Sequence, residues 1–477
     1  MKAKLLLFVL LAAAAVLAQP QSYDLVILHG RVMDPATNTD KVANVGINQG
    51  KIAIITGQPL TGARTIDAAG LVVAPGFIDL HSHGQDAENY RFKAMDGVTT
   101  ALELEVGVGD VDAWYAARQG KALINYGATV GHIPARDAVM HDSSTFLPHD
   151  HAMNDVASPQ QIAAMQEILE RGLKAGALGV GFGVAYTPAA SHEEILEMFR
   201  VAARHHATAF VHVRFGGAKE PDSGLAAVQE VIADSAISGA PLHVVHISSS
   251  GLRSTGDLLH AIGDAQKRGL DVTTECYPYT AAMTDLASAI FNPGWQEIQG
   301  ISYHDLQWAA TGERLTEQTF NQYRKQGGMV VIHEIPPDIA LLAVSSPLTM
   351  IASDGMITNG KGHPRGAGTY ARVLGYYVRQ QHALTLMDAL RKMTIMPAER
   401  LAPRAAMMKE RGRIGVGAVA DLTVFDPERV IDKATFDNPA QYSEGMRYVL
   451  VGGTPVVSQG RFVDGAAPGA GIRAPRE

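Results

Sequence analysis

Histidine is the residue type whose spacing could do chemistry here: the chain has 18 in 477 residues. Two pairs have the spacing of a chelate, His81-Ser82-His83 and His149-Asp150-His151. Chance supplies such tripeptides in a chain this rich in histidine, so context separates them. His81 and His83 end the apolar run Gly76-Phe77-Ile78-Asp79-Leu80. In an extended strand, residues two apart share a face, so both rings can chelate one metal ion at the strand's C-terminal end. The second pair follows Leu147-Pro148 in a turn-like stretch with no strand before it, and reads as solvent-exposed. Three more strand-like runs end on a ligand type: Phe210-Val211-His212, Leu242 to His246, and Met350 to Asp354. One histidine at a strand end is ordinary. A His pair, two single His and an Asp at four strand ends read as one metal centre, with the ligand types of Zn2+ or another divalent ion. His243, three residues before His246, reads as facing the other way and serving packing. Cys276 is the single cysteine, so neither an internal disulfide nor a cysteine zinc ribbon is available. It reads as a small buried residue and not as a nucleophile.

These strand ends need a scaffold that brings them together. From Pro75 to about Leu401, apolar runs alternate with amphipathic stretches. Strands are expected at Gly76–Leu80, Thr100–Val106, Ala128–Val130, Ala177–Val184, Ala209–Val211, Leu242–Ile247, Asp271–Cys276 and Thr349–Ser353. Helices are expected at Pro159–Ala175, His192–His205, Gly224–Ser238 and Thr255–Arg268. Eight strands alternating with helices predict an α/β fold of the (β/α)8 TIM-like barrel type, whose chemistry sits at the strands' C-terminal ends. Residues 281–328 break the rhythm with Trp295, Trp308, Phe320 and Tyr323, and read as an insertion that could cover the barrel mouth. Short β-rich runs at 19–74 and 402–477 flank the 75–401 barrel and predict one small β-sandwich domain built from both ends.

The N-terminal segment reads as an address. Lys2 and Lys4 precede the apolar run Leu5–Leu17, and Val16-Leu17-Ala18 offers small residues for cleavage before Gln19. Residues 1–18 are therefore expected to be a signal peptide and the protein periplasmic or secreted, without membrane attachment after cleavage near Ala18. Lys+Arg total 40 against Asp+Glu 48, with no dense basic stretch, which argues against a nucleic-acid partner. Oligomeric state is left open.

The residues also resemble a known family. Ala74-Pro75-Gly76-Phe77-Ile78-Asp79-Leu80-His81-Ser82-His83, Gly97-Val98-Thr99-Thr100, Val211-His212-Val213-Arg214, His246, Tyr277-Pro278-Tyr279, Ser353-Asp354-Gly355 and His363-Pro364-Arg365 occur in order along the chain. The composite resembles the amidohydrolase superfamily, and within it the N-acyl-D-amino-acid deacylases. The resemblance implies one or two zinc ions, His81 and His83 on one, His212 and His246 on the other, and Asp354 as a metal-bound proton shuttle. It also implies a small-molecule N-acyl amino acid, or related amide, as substrate. Two departures stand out. Many superfamily members bridge two metals with a lysine on strand four, and Ala177–Val184 has none. The deacylase branch places a cysteine after Gly-Val-Thr-Thr; here Leu102-Glu103-Leu104-Glu105 follows. A carboxylate can bridge two cations, and Glu105, nearer the strand's end, is the expected replacement, with Glu103 the alternative. The family's lysine two residues after His246 is Ser248, so Arg214, Arg253 or Arg365 could meet a substrate carboxylate instead.

The resulting expectation is hydrolysis of the amide bond of an N-acyl amino acid, of D configuration as the resemblance implies, with Asp354 moving the proton. Tyr186 or His132 would stabilise the oxyanion, and Tyr277, Tyr279, His363 and Arg365 would shape the pocket. Two alternatives stand beside it: a cyclic amidase, dipeptidase or lactonase on the same site, and a non-catalytic barrel acting as a binding or assembly module.

Overall fold

The computed structural model describes residues 22–144 and 146–477, so the 1–18 segment read as a signal peptide lies outside the described residues. Eight parallel strands follow one another in chain order: Phe77–Asp79, Val98–Val108, Asn125–Gly131, Gly179–Gly183, Thr208–His212, Leu242–Val244, Val272–Cys276 and Thr349–Ile351. The ring closes without a full ladder between first and last strands. A bridge between Ser82 and Gly355, and the Asp354 N–H donating to the His81 carbonyl at 2.7 Å, join them.

The helices form where sequence and chemistry agree. Ser158, Ser191 and Ser223 each accept a backbone N–H three residues on, satisfying donors that the first helical turn leaves free. The helices Pro159–Lys174, His192–Arg204 and Gly224–Ser238 then bury Met165, Leu169, Met198, Phe199 and Val228 against Val180, Phe182, Ala209, Val211 and Val244 of the strands. A separate cluster joins Ile78, Leu102, Phe210, Val245 and Met350 to Ala398, Leu401 and Met408. It fills the space between strands, so the polar centre rests on a packed floor.

Both chain ends build one nine-stranded sheet. Val72–Pro75 pairs antiparallel with Leu422–Phe425, and the far edge strand, Lys51–Thr56, returns to the same segment through Ile52 N–H to the Ala418 carbonyl at 2.9 Å. The expected sandwich is thus one continuous sheet folded around Leu25, Ile27, Val45, Ile52, Leu422 and Val424. The irregular segment is a folded lobe: Ala282–Asp285, Leu306–Trp308 and Met329–Ile332 form a sheet whose middle strand lies past position 328. Trp295, Trp308 and Phe320, which disturbed the barrel rhythm, are the lobe's own core. No helix among the described residues is long and apolar enough to cross a membrane.

Candidate metal centre

Glu105 stands at the middle of the strand ends. One carboxylate oxygen lies 3.0 Å from His81 Nε2 and 3.1 Å from His83 Nε2. The other lies 2.7 Å from His212 Nδ1 and 3.4 Å from His246 Nε2. Asp354 Oδ1 completes the first group, 3.5 Å from His81 Nε2 and 3.3 Å from His83 Nε2. The six residues make two groups that could each hold a metal ion, His81–His83–Glu105–Asp354 and Glu105–His212–His246, and the groups share Glu105. Four imidazoles and two carboxylates at this spacing suit one or two divalent cations of the zinc type.

Local backbone chemistry explains why Glu105 reaches the centre. The second strand bulges between Glu103 and Val108, and a bulge re-aims side chains. Room for it comes from glycine on the next strands. A Cβ at Gly131 would stand 2.0 Å from the Val106 carbonyl oxygen, and one at Gly181 would stand 2.3 Å from that of Glu105. His246 and Asp354 both adopt left-handed backbone, with φ of 30° and 50°. Such conformations cost about 1–3 kcal/mol each and persist where surrounding structure holds them. They turn both side chains inward just beyond their strands. This turn also overturns the period-two argument for His243. The strand ends at Val244, so His243 faces the barrel interior rather than away from it.

Outside the six residues stands a layer of carboxylates. Glu275 lies 2.7 Å from His81 Nδ1 and 3.2 Å from His243 Nε2, and Glu103 lies 2.9 Å from His83 Nδ1. Each fixes the ring tautomer that turns Nε2 to the centre, the arrangement by which carboxylates orient metal-binding histidines. Glu103 is therefore placed as the partner of His83 and not between the two groups. Glu275 was missed from sequence, although it carried a signal: an acidic residue on the inward face of an apolar strand must have a partner. Asp79 ties the first strand to the eighth, accepting the Ser353 N–H at 2.9 Å and pairing with buried Lys93 at 2.8 Å. Burial disfavours a charged His81, but Asp354, Glu105 and Glu275 outweigh it and raise its pKa to about 10. Burial likewise opposes ionised Asp354, yet Arg365 and His81 hold its carboxyl well below the ordinary carboxylate range. The centre is thus a buried anionic cage that attracts positive charge.

A cavity of about 290 Å3 opens on His212, His246 and Asp354 and runs between the barrel mouth and the inserted lobe. Tyr186 and Tyr277 line it, and the Tyr186 ring packs on His212 at 4.8 Å. Arg365 Nη2 is 2.9 Å from Asp354 Oδ2, while its Nε and Nη1 are buried without a partner. Other expected pocket residues are placed elsewhere. His132 is buried against Glu194 at 2.8 Å, beside the Arg136–Glu194 ion pair, and does not line the cavity. Tyr279 hydrogen-bonds Asp432 at 3.3 Å. His363 accepts the Arg365 N–H on Nδ1 at 3.0 Å and donates from Nε2 to the Ala281 carbonyl at 3.0 Å, so it shapes the loop carrying Arg365 without reaching the cavity. Arg214 lines the cavity, but its guanidinium is engaged by Glu230 at 2.7 Å. Arg253 is exposed, as are His149 and His151. Cys276 is buried, and burial pushes its thiol up to about 11.

A parallel barrel with imidazoles and carboxylates converging beyond its strand ends defines a metal-dependent hydrolase type of site. The chain belongs to the amidohydrolase family, whose profile matches residues 64–340 and 255–457. Among individual proteins it is similar to a D-aminoacylase of Alcaligenes xylosoxydans xylosoxydans, at 30% identity over 93% of this chain and 96% of that one. It is 29% identical to an N-acyl-D-glutamate deacylase of the same organism, over 92% of this chain and 94% of the relative. The crystal structure of N-acyl-D-glutamate deacylase from Bordetella bronchiseptica, complexed with zinc and a phosphonate inhibitor, superposes with a TM-score of 0.80. That match has 28% identity and covers 95% of this chain and all of the other.

Proposed function

We propose that this protein is a zinc-dependent amidohydrolase that cleaves the amide bond of N-acyl-D-amino acids. The observation that carries the reading is the pair of ligand groups sharing Glu105 at the mouth of a cavity sized for a small molecule. His81, His83, His212, His246, Glu105 and Asp354 would hold the cation, with Glu105 common to both groups in place of the family's cysteine. A bound divalent cation supplies positive charge that acidifies water and polarises the scissile carbonyl. Asp354, held ionised by Arg365 and His81, takes a proton from the attacking water. As a weak base it then releases that proton to the leaving nitrogen. The Tyr186 hydroxyl accepts from Thr284 Oγ1 at 3.2 Å, which leaves its own hydrogen free for the developing oxyanion. The two unpartnered N–H groups of Arg365 suit the substrate carboxylate, replacing the cation lost at Ser248.

The test is metal analysis of purified protein together with a panel of N-acyl-D-amino acids, N-acyl-L-amino acids, dipeptides and cyclic amides. Bound zinc and turnover of the D-series, lost in Asp354→Asn, support the reading. Turnover of cyclic amides alone, or full activity of that variant, refutes it. We also propose export from the cytoplasm, on the strength of the 1–18 pattern. Cell fractionation and N-terminal sequencing should find a mature chain beginning at Gln19; a cytoplasmic chain retaining Met1 would refute this.

A further inference from the structure

The substrate cavity carries a carboxyl group that the reaction does not use. Glu334 lines it, two residues beyond the lobe's middle strand Met329–Ile332. Its neighbours fix its direction. His333 donates its N–H to the Asp305 carbonyl and turns its ring to Gln307 at 2.9 Å. Ile335 donates its N–H to the Thr280 carbonyl and is buried against Leu252 and Tyr277. The side chain between them is left to the cavity. No hydrogen bond or ion pair to the Glu334 carboxylate is found among the described residues.

The cavity's cations do not balance it. Arg214, which lines the cavity, is engaged by Glu230, and Arg365 is paired with Asp354 through Nη2 and keeps Nε and Nη1 for the substrate carboxylate. Asp222, a third carboxylate on the cavity beside Glu334 and Asp354, lies at its exposed rim. An acidic side chain reaching Glu334 would meet a carboxyl group to which no lysine or arginine is hydrogen-bonded among the described residues. Ala282, Met283, Ile298 and Ile332 give the same cavity an apolar wall. Such a wall accepts an aliphatic chain and offers one charged anchor. Burial, opposed by Arg365, raises the Glu334 carboxyl to about 8, so an unpaired anion there is disfavoured until positive charge arrives.

From this geometry we infer that Glu334 selects substrates carrying a cationic group at the end of an aliphatic side chain, of the lysine or ornithine class. The inference rests on the deacylase reading for the location of the scissile amide. It differs in chemistry from the relatives whose names specify glutamate or aspartate.

The experiment compares D-lysine, D-norleucine and D-glutamate as ligands of the zinc-loaded protein by titration calorimetry. N-acetyl-D-lysine and N-acetyl-D-norleucine are compared in parallel as substrates. D-lysine should bind at least tenfold tighter than D-norleucine, and D-glutamate weakest. In Glu334→Gln the lysine-to-norleucine ratio should fall at least tenfold, in binding and in kcat/KM alike. A wild-type ratio near one, no binding of D-lysine, tightest binding of D-glutamate, or a ratio unchanged in the variant would each overturn the inference. Lysine-selective binding without turnover of either N-acetyl compound would leave Glu334's role standing and refute the deacylase reading. Turnover with no lysine preference would do the reverse.

Discussion

Glu275 offers the sharpest test of how the centre is held. Its two oxygens reach His81 Nδ1 at 2.7 Å and His243 Nε2 at 3.2 Å, and His243 Nδ1 reaches Thr273 Oγ1 at 2.8 Å. In Glu275→Gln the amide oxygen still accepts from His81 Nδ1–H, and the amide nitrogen donates to His243 Nε2. His243 then takes the tautomer whose Nδ1–H donates to Thr273 Oγ1, the geometry is kept, and the charge behind His81 is lost. In Glu275→Leu both rings lose their partner, each at about 1–3 kcal/mol of folding stability. Loss of an outer carboxylate behind a metal-binding histidine costs about 10–100-fold in metal affinity, which is about 1.4–2.8 kcal/mol. The glutamine variant should fall near the tenfold end and the leucine variant near the hundredfold end. Zinc affinity measured against a competing chelator reads the first quantity, and thermal melting of metal-stripped protein reads the second. Wild-type zinc affinity in Glu275→Gln, with an unchanged melting curve, would refute the claim that Glu275 tunes His81.

Other perturbations read other parts of the structure. Lys93→Met should destabilise the fold by about 3–5 kcal/mol in urea, because Asp79 is left as an uncompensated buried charge; a loss under 1 kcal/mol would contradict that. Tyr186→Phe should lower kcat by about 10²–10³ with KM little changed, since an oxyanion donor acts in the transition state; a pure KM effect would point to substrate binding instead. The pH dependence of metal-stripped protein follows from two groups with opposite signs. His81, raised from 6.5 to about 10, contributes stability that is full below 6.5 and lost as pH rises through 10. Glu275, lowered against burial by His81 and His243 from 4.5 to about 2, contributes stability that is full above 4.5 and lost as pH falls through 2. Melting temperature should therefore fall at both ends, and zinc should abolish the alkaline loss by replacing the proton on His81. An alkaline loss equally large with zinc bound would count against His81 as a ligand.

How much was legible can be argued residue by residue. His81, His83, His212 and Asp354 were readable because period-two alternation and the end of an apolar run are local properties of the chain. The serine-capped helices were readable for the same reason. His243 was misread because its strand stops at Val244, and nothing local announces the left-handed turn at His246. His132, Tyr279 and His363 were misread because a polar residue near a strand end has two fates. Glu194, Asp432 and the Ala281 carbonyl, which claim these side chains, come from distant segments. Glu103 and Glu105 looked equivalent in sequence, and the bulge in the second strand separates their roles.

By itself the sequence determined the alternation of strands and helices, the ligand types and their places at strand ends, since these depend on periodicity and side-chain chemistry. Only the tertiary structure decided that Glu105 is common to both ligand groups, that Glu275 and Glu103 stand behind the histidines, and that Glu334 enters the cavity from the inserted lobe. Those facts depend on which distant carboxylate meets which ring. Chain closure and packing set that pairing, and no local pattern records it.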